Sequence, residues 1–464
     1  MHVNAKARKR ASAQPEAHRQ SNEGRSAGVI PRETARITDL SHEGRGVAHV
    51  EGKTVFIDDA LPGELVEWQR IKRGRNFDEG RLLRVIEPSP DRIEPRCIHF
   101  GMCGGCVLQH LSGEQQLQFK QKQLMDSLTR IGRVTPQETL PPLQAGSWNY
   151  RRRARLAARW VPKKNRTVVG FRERSTPYIT DLQRCEVLQA PLDQLLVPLS
   201  ELVTALSIRN RVPQIEVAVA DNAVALVVRV LEPLTEADRE LLRRFGREHS
   251  VQMFLQPGGY ETIAPMEDVE PLEYRLPSFG LTLQFLPTDF VQVNGPLNLQ
   301  MIDRAVELLA LKPDDRVLDL FCGLGNFSLP LARRAGQVVG VEGEAGLVAR
   351  ARDNASRNGL GNAQFFTANL ADESIGSAQS PALWAGKFDK VLLDPPRAGA
   401  KEVLPVVAKS GADTVLYISC HPGSLARDAG ILVHEHGYKL QAAGVMDMFP
   451  HTAHVESAAL FVKP

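Results

Sequence analysis

Cys420 stands where a thiol can act as a nucleophile. It follows the β-forming run Thr414-Val-Leu-Tyr-Ile-Ser419 and precedes His421-Pro-Gly-Ser424, which predicts a sulfur at a strand end close to a helix N-terminus, a position that favours thiolate. The competing fate is that of a small buried apolar side chain, the commonest one for a free cysteine. Cys322 has a comparable address inside Asp319-Leu-Phe-Cys-Gly-Leu-Gly-Asn326, and there packing is the favoured reading. The same loop carries a second chemistry. Gly323 and Gly325 let backbone approach a ligand closely, and Asp319 can orient the loop or reach a cationic ammonium. Glu342, 23 residues after Asp319, has the spacing at which an acidic residue takes nucleoside ribose hydroxyls.

A glycine loop by itself would equally suit a turn with no ligand, or a nicotinamide dinucleotide. Later strand ends separate these readings. Lys390-Val-Leu-Leu-Asp394 runs into Pro395-Pro396-Arg397, and Asp394 in that stiffened turn resembles the fourth motif of S-adenosylmethionine-dependent methyltransferases. A methyl donor beside a thiol points to one reaction. Carbon 5 of uracil is a feeble nucleophile, but a thiolate added at carbon 6 converts the ring into an enolate that can attack a sulfonium methyl. The carbon 5 proton must then leave, so a base is needed. Glu456, in Asp447-Met-Phe-Pro-His-Thr-Ala-His-Val-Glu456, is the first choice, and His451 or His454 the alternative.

These residues must be positioned by several elements. At 464 residues the chain calls for two to four domains. Residues 1–30 hold few large apolar side chains and read as a disordered basic tail. Residues 31–88 break into short β-rich runs such as Lys53-Thr-Val-Phe-Ile57 and Glu64-Leu-Val-Glu-Trp68, which predicts an OB-like barrel of about five strands. Its wording, Asp39-Leu-Ser-His-Glu-Gly-Arg-Gly46 and Leu61-Pro-Gly-Glu-Leu65, resembles the TRAM domain, an RNA-binding module. Residues 89–285 read as a central α+β domain, opening on a cysteine loop and a helix over 112–132. Ser112 and Gln115 form a capping box for that helix, which carries Leu117, Leu124, Leu128 and Ile131 on one side and is placed to pack on the catalytic domain. Residues 286–464 alternate strands and helices, the pattern of a doubly wound parallel sheet of Rossmann-like type.

Taken together, Asp289-Phe-Val-Gln-Val-Asn294, Phe321-Cys-Gly-Leu-Gly-Asn326, Leu393-Asp-Pro-Pro-Arg397, Tyr417-Ile-Ser-Cys420 and Phe449-Pro-His-Thr-Ala-His-Val-Glu456 resemble the motif set of RNA uracil-C5 methyltransferases. The resemblance implies that Gln292, Phe321, Asn326, Glu342, Asn369 and Asp394 contact S-adenosylmethionine, with Cys420 as nucleophile and Glu456 as base. His421 stands where many members carry Asn, and Gly423 where Ala is common.

Cys97, Cys103, Cys106 and Cys185 remain. A cytoplasmic chain would not keep them as disulfides, and their spacing suits a structural zinc and an iron–sulfur cluster equally. The wording around them resembles the [4Fe-4S] site of the same family. Cluster and TRAM domain together imply the bacterial branch acting on 23S rRNA, as naked RNA or a pre-ribosomal particle. Two basic knots, Arg70-Lys72-Arg73-Arg75 and Arg151-Arg152-Arg153-Arg155, would then meet phosphates, unless they form salt bridges to acidic neighbours.

A hydrophobic content of 43% with 24% charged residues excludes wholesale disorder. No apolar run is long enough for a bilayer and the N-terminus lacks a secretory signal, so no membrane role and a cytoplasmic location are expected. A net charge of +3 decides nothing by itself. A monomer is the default expectation. The rivals are a tRNA uracil-C5 or RNA cytosine-C5 methyltransferase and a non-catalytic iron–sulfur RNA-binding protein.

Overall fold

The computed structural model describes residues 32–372, 375 and 386–464; the tail expected over 1–30 lies outside them. The first unit is a six-stranded sheet of β1 (Arg32–Arg36), β2 (Asp39–Leu40), β3 (Gly46–Val50), β4 (Lys53–Asp58), β5 (Leu65–Arg73) and β6 (Phe77–Glu87), where about five strands were expected. The order is β1-β5-β6-β4-β3-β2, so the two edge strands are consecutive in the chain, separated by Ile37 and Thr38. Alternate residues point inward around Trp68, Ile57, Ile37 and Val55, all at most 1% exposed.

Helix α1 (Gly113–Ser127) follows the cysteine loop. Ser112 caps it by accepting from the Gln115 N–H at 3.4 Å, while the Ser112 N–H donates to the Asp91 carbonyl. Only that half of the expected capping box forms. Leu128–Gly132 continues as a wider π-type turn, and Ile131, expected on the apolar side, is 55% exposed. The short strand β7 (Glu138–Thr139) comes next.

The central unit is a six-stranded sheet of β8 (Arg153–Val161), β9 (Arg166–Gly170), β10 (Gln214–Val219), β11 (Val224–Arg229), β12 (Gln252–Gln256) and β13 (Ala264–Pro265), ordered β13-β12-β11-β10-β8-β9, with helices α2 (Leu196–Ala205) and α3 (Glu236–His249). Thr235 and Asp238 cap α3 reciprocally. The hairpin β14 (Leu272–Leu276) and β15 (Leu281–Phe285) leaves this unit. One apolar core runs from Ala218, Val227 and Phe254 through this hairpin into the C-terminal sheet, so 285 is no packing boundary.

The C-terminal unit contains α4 (Gly295–Leu309), β16 (Arg316–Leu320), α5 (Ser328–Ala332), β17 (Gln337–Glu342), α6 (Ala345–Arg357), β18 (Ala363–Thr367), β19 (Lys390–Leu393), α7 (Leu404–Lys409), β20 (Thr414–Ser419), α8 (Pro422–His434), β21 (Lys439–Met446) and β22 (Glu456–Val462). Its sheet runs β18-β17-β16-β19-β20-β22-β21-β7. The first five strands are parallel. β20 is buried at every position, as a strand covered on both faces must be. β22 departs from the expected all-parallel sheet: it is antiparallel to both β20 and β21. Asn354 of α6 and Asn358, which caps its C-terminus, accept from the Gln284 and Thr282 N–H groups and donate back to their carbonyls, which fastens the hairpin to this unit. α1 and its π-type turn lie on α8, where Gly132 and Gly430 permit contact: a Cβ at Gly132 would stand 2.3 Å from the Ala426 carbonyl oxygen.

Candidate active site

Strand order reverses between β16 and β19, so the loops after these strands part and leave a crevice at their carboxyl ends. Asp319 belongs to β16, Glu342 ends β17, Asp394 follows β19 and Cys420 follows β20. Because β22 is antiparallel, its first residue lies at that same edge. Ser419 pairs with Ser457, which sets Glu456 beside Cys420. A purely parallel sheet would have put the start of β22 at the far end.

These acids share one poorly hydrated place. Burial, the Asp394 and Glu342 charges raise the Asp319 carboxyl to about 7 against a bond from Ser328, and its Oδ1 is buried with no partner. Burial, then Glu342, raises Asp394 to about 7. Glu456, 4% exposed, is held well above the ordinary carboxylate range by burial and then by Asp394. Burial, then Glu456 and Asp394, push the Cys420 thiol up to about 11, against the pull of Arg397. Burial and the two carboxyls thus act on the thiol against the thiolate expected from the helix N-terminus. Buried acids suit a positively charged ligand such as S-adenosylmethionine, with its ammonium and sulfonium.

The sequence-derived cofactor residues divide. Glu342 is oriented by backbone: its Oε2 accepts from Gly323 N–H at 3.1 Å, and its Oε1 from Gly343 at 2.7 Å and Glu344 at 3.1 Å. Phe321 is held at φ +66° with its N–H on the Val341 carbonyl at 2.8 Å, a left-handed conformation costing about 1–3 kcal/mol for a side chain other than glycine. The Asn326 carboxamide is engaged elsewhere, exchanging bonds with Asn298 at 2.9 and 3.0 Å and accepting from the Tyr274 hydroxyl at 3.0 Å. Asn369 is exposed and turns its oxygen onto the Ala371 N–H. Gln292 is half-buried two residues before Asn294, which caps α4. Cys322 is buried in the core behind the loop, as its packing reading requires. His421 caps α8, its Nδ1 accepting from Ser424 N–H at 3.1 Å, so it fills the role of a capping Asn.

Cys420 opens onto a cleft of about 890 Å³ whose walls come from three units: His42 and Glu43 of the first sheet, Gly104, Gly105 and Val107 of the cysteine loop, and Arg397 with Thr452–Val455 of the C-terminal unit. Loop 321–326 is not among the residues that line this cleft; it is linked to Cys420 through Glu342 and Asp394. Arg397 was read only as part of a motif, yet its Nη2 lies 3.5 Å from His454 Nδ1. The turn bearing it is fixed by buried Asp428, which accepts from the Ala400 N–H and Tyr417 hydroxyl, each at 2.7 Å. His451, the other histidine considered as base, is 5% exposed and stacked on Trp148 at 3.9 Å.

The arginine knot at 151–155 is largely a structural one. Arg152, 10% exposed, binds Asp221 at 3.0 Å; Arg155 binds Glu216 at 3.1 Å; Arg153 donates to the Pro287 carbonyl and lies 3.9 Å from Glu216. Arg152 and Arg153 are thus engaged in part-buried pairs, whereas Arg155 keeps a side chain that is 59% exposed. In the first knot, Arg70 pairs with Glu33 and Asp78 and Lys72 with Glu79, while Arg73 and Arg75 are exposed.

Cys97, Cys103, Cys106 and Cys185 line a single pocket with Phe100, Gln109 and Phe171. Burial raises all four thiols, Cys106 to about 11 and Cys185 to about 12. Their convergence fits a four-thiolate group. The expected metal centre is not drawn closed, however: among the described residues no three His, Cys, Asp or Glu side chains are grouped closely enough to hold a metal ion.

Comparison with known proteins covers the chain nearly end to end. The family described as tRNA (Uracil-5-)-methyltransferase matches residues 280–464, and the TRAM domain matches 32–75. A 23S rRNA (uracil(1939)-C(5))-methyltransferase RlmD of Xanthomonas axonopodis pv. citri (strain 306) is 53% identical over 436 residues, 93% of this chain and 97% of that protein. Its namesake from Alkalilimnicola ehrlichii is 52% identical over 443 residues, 94% and 98% of the two chains. Among solved structures, the Pyrococcus abyssi tRNA (uracil-54, C5)-methyltransferase in complex with S-adenosyl-L-homocysteine shares the fold with a TM-score of 0.71 at 23% identity, over 92% of this chain and 99% of that one. No helix among the described residues is long and apolar enough to cross a membrane.

Proposed function

Since the chain belongs to the family of 23S rRNA uracil-C5 methyltransferases, we propose that it methylates carbon 5 of a uridine in 23S rRNA, in the cytoplasm, by covalent catalysis from Cys420. The observation that carries the mechanism is the meeting of Cys420, Glu456 and Asp394 at one sheet edge, under a cleft walled by three units. S-adenosylmethionine supplies the methyl group as a cation equivalent. Cys420 gives up its thiol proton to solvent and adds as thiolate to carbon 6 of the ring; the electron pair of the 5,6 double bond moves to carbon 5, which takes the methyl group as the methyl–sulfonium bond breaks and S-adenosylhomocysteine is left. Glu456 then takes the proton from carbon 5, the electron pair restores the 5,6 double bond, and the carbon–sulfur bond breaks.

Glu456 is suited to that step because burial strengthens it as a base. It must be ionised when the ring arrives, and a cationic donor beside Asp394 favours that. Arg397 offsets the acids next to the thiol. Asp319, Glu342 and Asp394 would hold the cofactor, its ammonium and sulfonium compensating charges that are otherwise buried together. Phe321, Gln292, Asn326 and Asn369 are assigned by family resemblance; for Asn326 and Asn369 that role requires exchanging the bonds they now make.

The four cysteines would hold a [4Fe-4S] cluster, which would tie the loop at the cleft mouth to the central sheet. Anaerobically purified protein should be brown with about four iron atoms per chain; stoichiometric zinc without colour would replace the cluster by zinc. For the reaction, RNA containing 5-fluorouridine should form a covalent adduct in the presence of S-adenosylmethionine, because fluorine cannot leave as a proton. An adduct that still forms in Cys420→Ser would remove Cys420 from the mechanism.

A further inference from the structure

The stretch 447–455 leaves the sheet at Met446 and returns at Glu456, the last paired residues of β21 and β22. It supplies the Thr452–Val455 wall of the cleft and leads directly into the proposed base. Such a loop would ordinarily be among the looser parts of a domain. Here α1 grips it from outside. Lys120, with 0% side-chain exposure, donates to Asp447 Oδ1 at 2.6 Å and to the Phe449 carbonyl at 2.9 Å. One helical turn earlier, buried Gln116 accepts from the His451 N–H at 2.8 Å and donates to the Leu108 and Leu111 carbonyls at 3.0 and 2.8 Å. The two residues are four apart, so they share a helix face.

Other bonds converge on the same point. The N–H groups of Val107 and Leu108 both donate to the His451 carbonyl at 2.9 Å, the Tyr150 hydroxyl donates to the Pro450 carbonyl at 3.1 Å, and Trp148 stacks on the His451 ring. His451 is held at φ +65°, a left-handed conformation that a non-glycine residue keeps only when its surroundings impose it. A buried ion pair stabilises little compared with matched apolar side chains, whereas it defines one geometry.

Building on the function proposed above, we propose that Gln116 and Lys120 are positioning residues for the base-assisted step: they set loop 447–455 so that Glu456 and the cleft wall stand correctly over the ring attached to Cys420. Thiol addition depends on β20 and α8, which neither residue touches by hydrogen bond or ion pair among the described residues. Slackening the grip therefore slows release of the carbon 5 proton and leaves adduct formation intact.

The test uses full-length protein and an rRNA fragment that the parent enzyme methylates. Lys120→Met and Gln116→Met should lower kcat by roughly 10–100-fold, the size of effect that a misplacement of about 1 Å produces, with KM for RNA within about twofold. They should accumulate the methylated covalent intermediate on ordinary RNA and form the 5-fluorouridine adduct at the parental rate. Hydrogen exchange should quicken at the Val107, Leu108 and His451 amides. Gln116→Glu, which keeps the acceptor for His451, should retain more activity than Gln116→Met. The double variant Lys120→Met/Asp447→Leu, which restores a matched buried pair, should regain thermal stability and not kcat. Parental kcat in both single variants would overturn the proposal, as would adduct formation that falls in step with kcat, or kcat recovered with stability in the double variant. A parent enzyme that methylates no uridine would instead sink the functional reading, and this inference with it.

Discussion

Alkylation of Cys420 as a function of pH tests the electrostatics of the site directly. The ordinary thiol value is 9.0, and burial with Glu456 and Asp394 raises that of Cys420 to about 11. At pH 8 an unperturbed thiol is about one-tenth thiolate, whereas one titrating near 11 is about one-thousandth, so the reactive fraction is roughly a hundredfold smaller. In ligand-free protein, the rate of iodoacetamide labelling at Cys420, followed by mass spectrometry of the peptide containing it, should climb about tenfold per pH unit from 7 to 10 without levelling. Cysteine in the same peptide after denaturation should react faster at pH 8 and level near pH 9. Arg397→Gln removes a neighbouring cation that favours thiolate and should slow labelling further. S-adenosylmethionine, which brings a sulfonium charge, should speed it more than S-adenosylhomocysteine, which lacks one. A labelling curve that levels at or below pH 9 in ligand-free protein would refute the argument that desolvation and carboxyls outweigh the helix N-terminus.

Glu456→Gln should leave 5-fluorouridine adduct formation in place and trap the methylated covalent intermediate on normal RNA, seen as a protein–RNA band carrying label from the methyl group; unchanged turnover would assign the base elsewhere. Asp319 and Asp394, raised to about 7, hold protons at pH 6 and must lose them to pair with a cation. Affinity for S-adenosylmethionine, measured by calorimetry, should therefore rise from pH 6 to pH 8, with proton release at the lower pH. Arg152→Met breaks a part-buried pair with Asp221 and should cost about 1–3 kcal/mol in denaturant unfolding. Arg73→Gln or Arg75→Gln should instead leave stability nearly unchanged and reduce the salt slope of RNA binding by about one each.

How much was legible in the sequence differs from residue to residue. Thr414–Ser419 was readable as a strand because a β-branched and apolar run bounded by turns is a local signal, and the strand forms at those limits. Asp319, Glu342, Asp394 and Cys420 were readable as residues of one edge, because successive parallel strands connected by helices must all end on the same side. The antiparallel course of β22 was not readable, since its seven residues look the same in either direction; only its pairing with β20 and β21 decides it. The arginine knot at 151–155 looked like a phosphate site because sequence shows charge without partners. Glu216 on β10 and Asp221 in the turn after it, which pair with these arginines, arrive some sixty residues further on. Side chains that act at one strand end are thus written locally, in turns and spacing. Whether a thiol is ionised, an arginine is free or a helix holds a distant loop depends on desolvation and on partners brought in by long-range packing, and these exist only once the chain has folded.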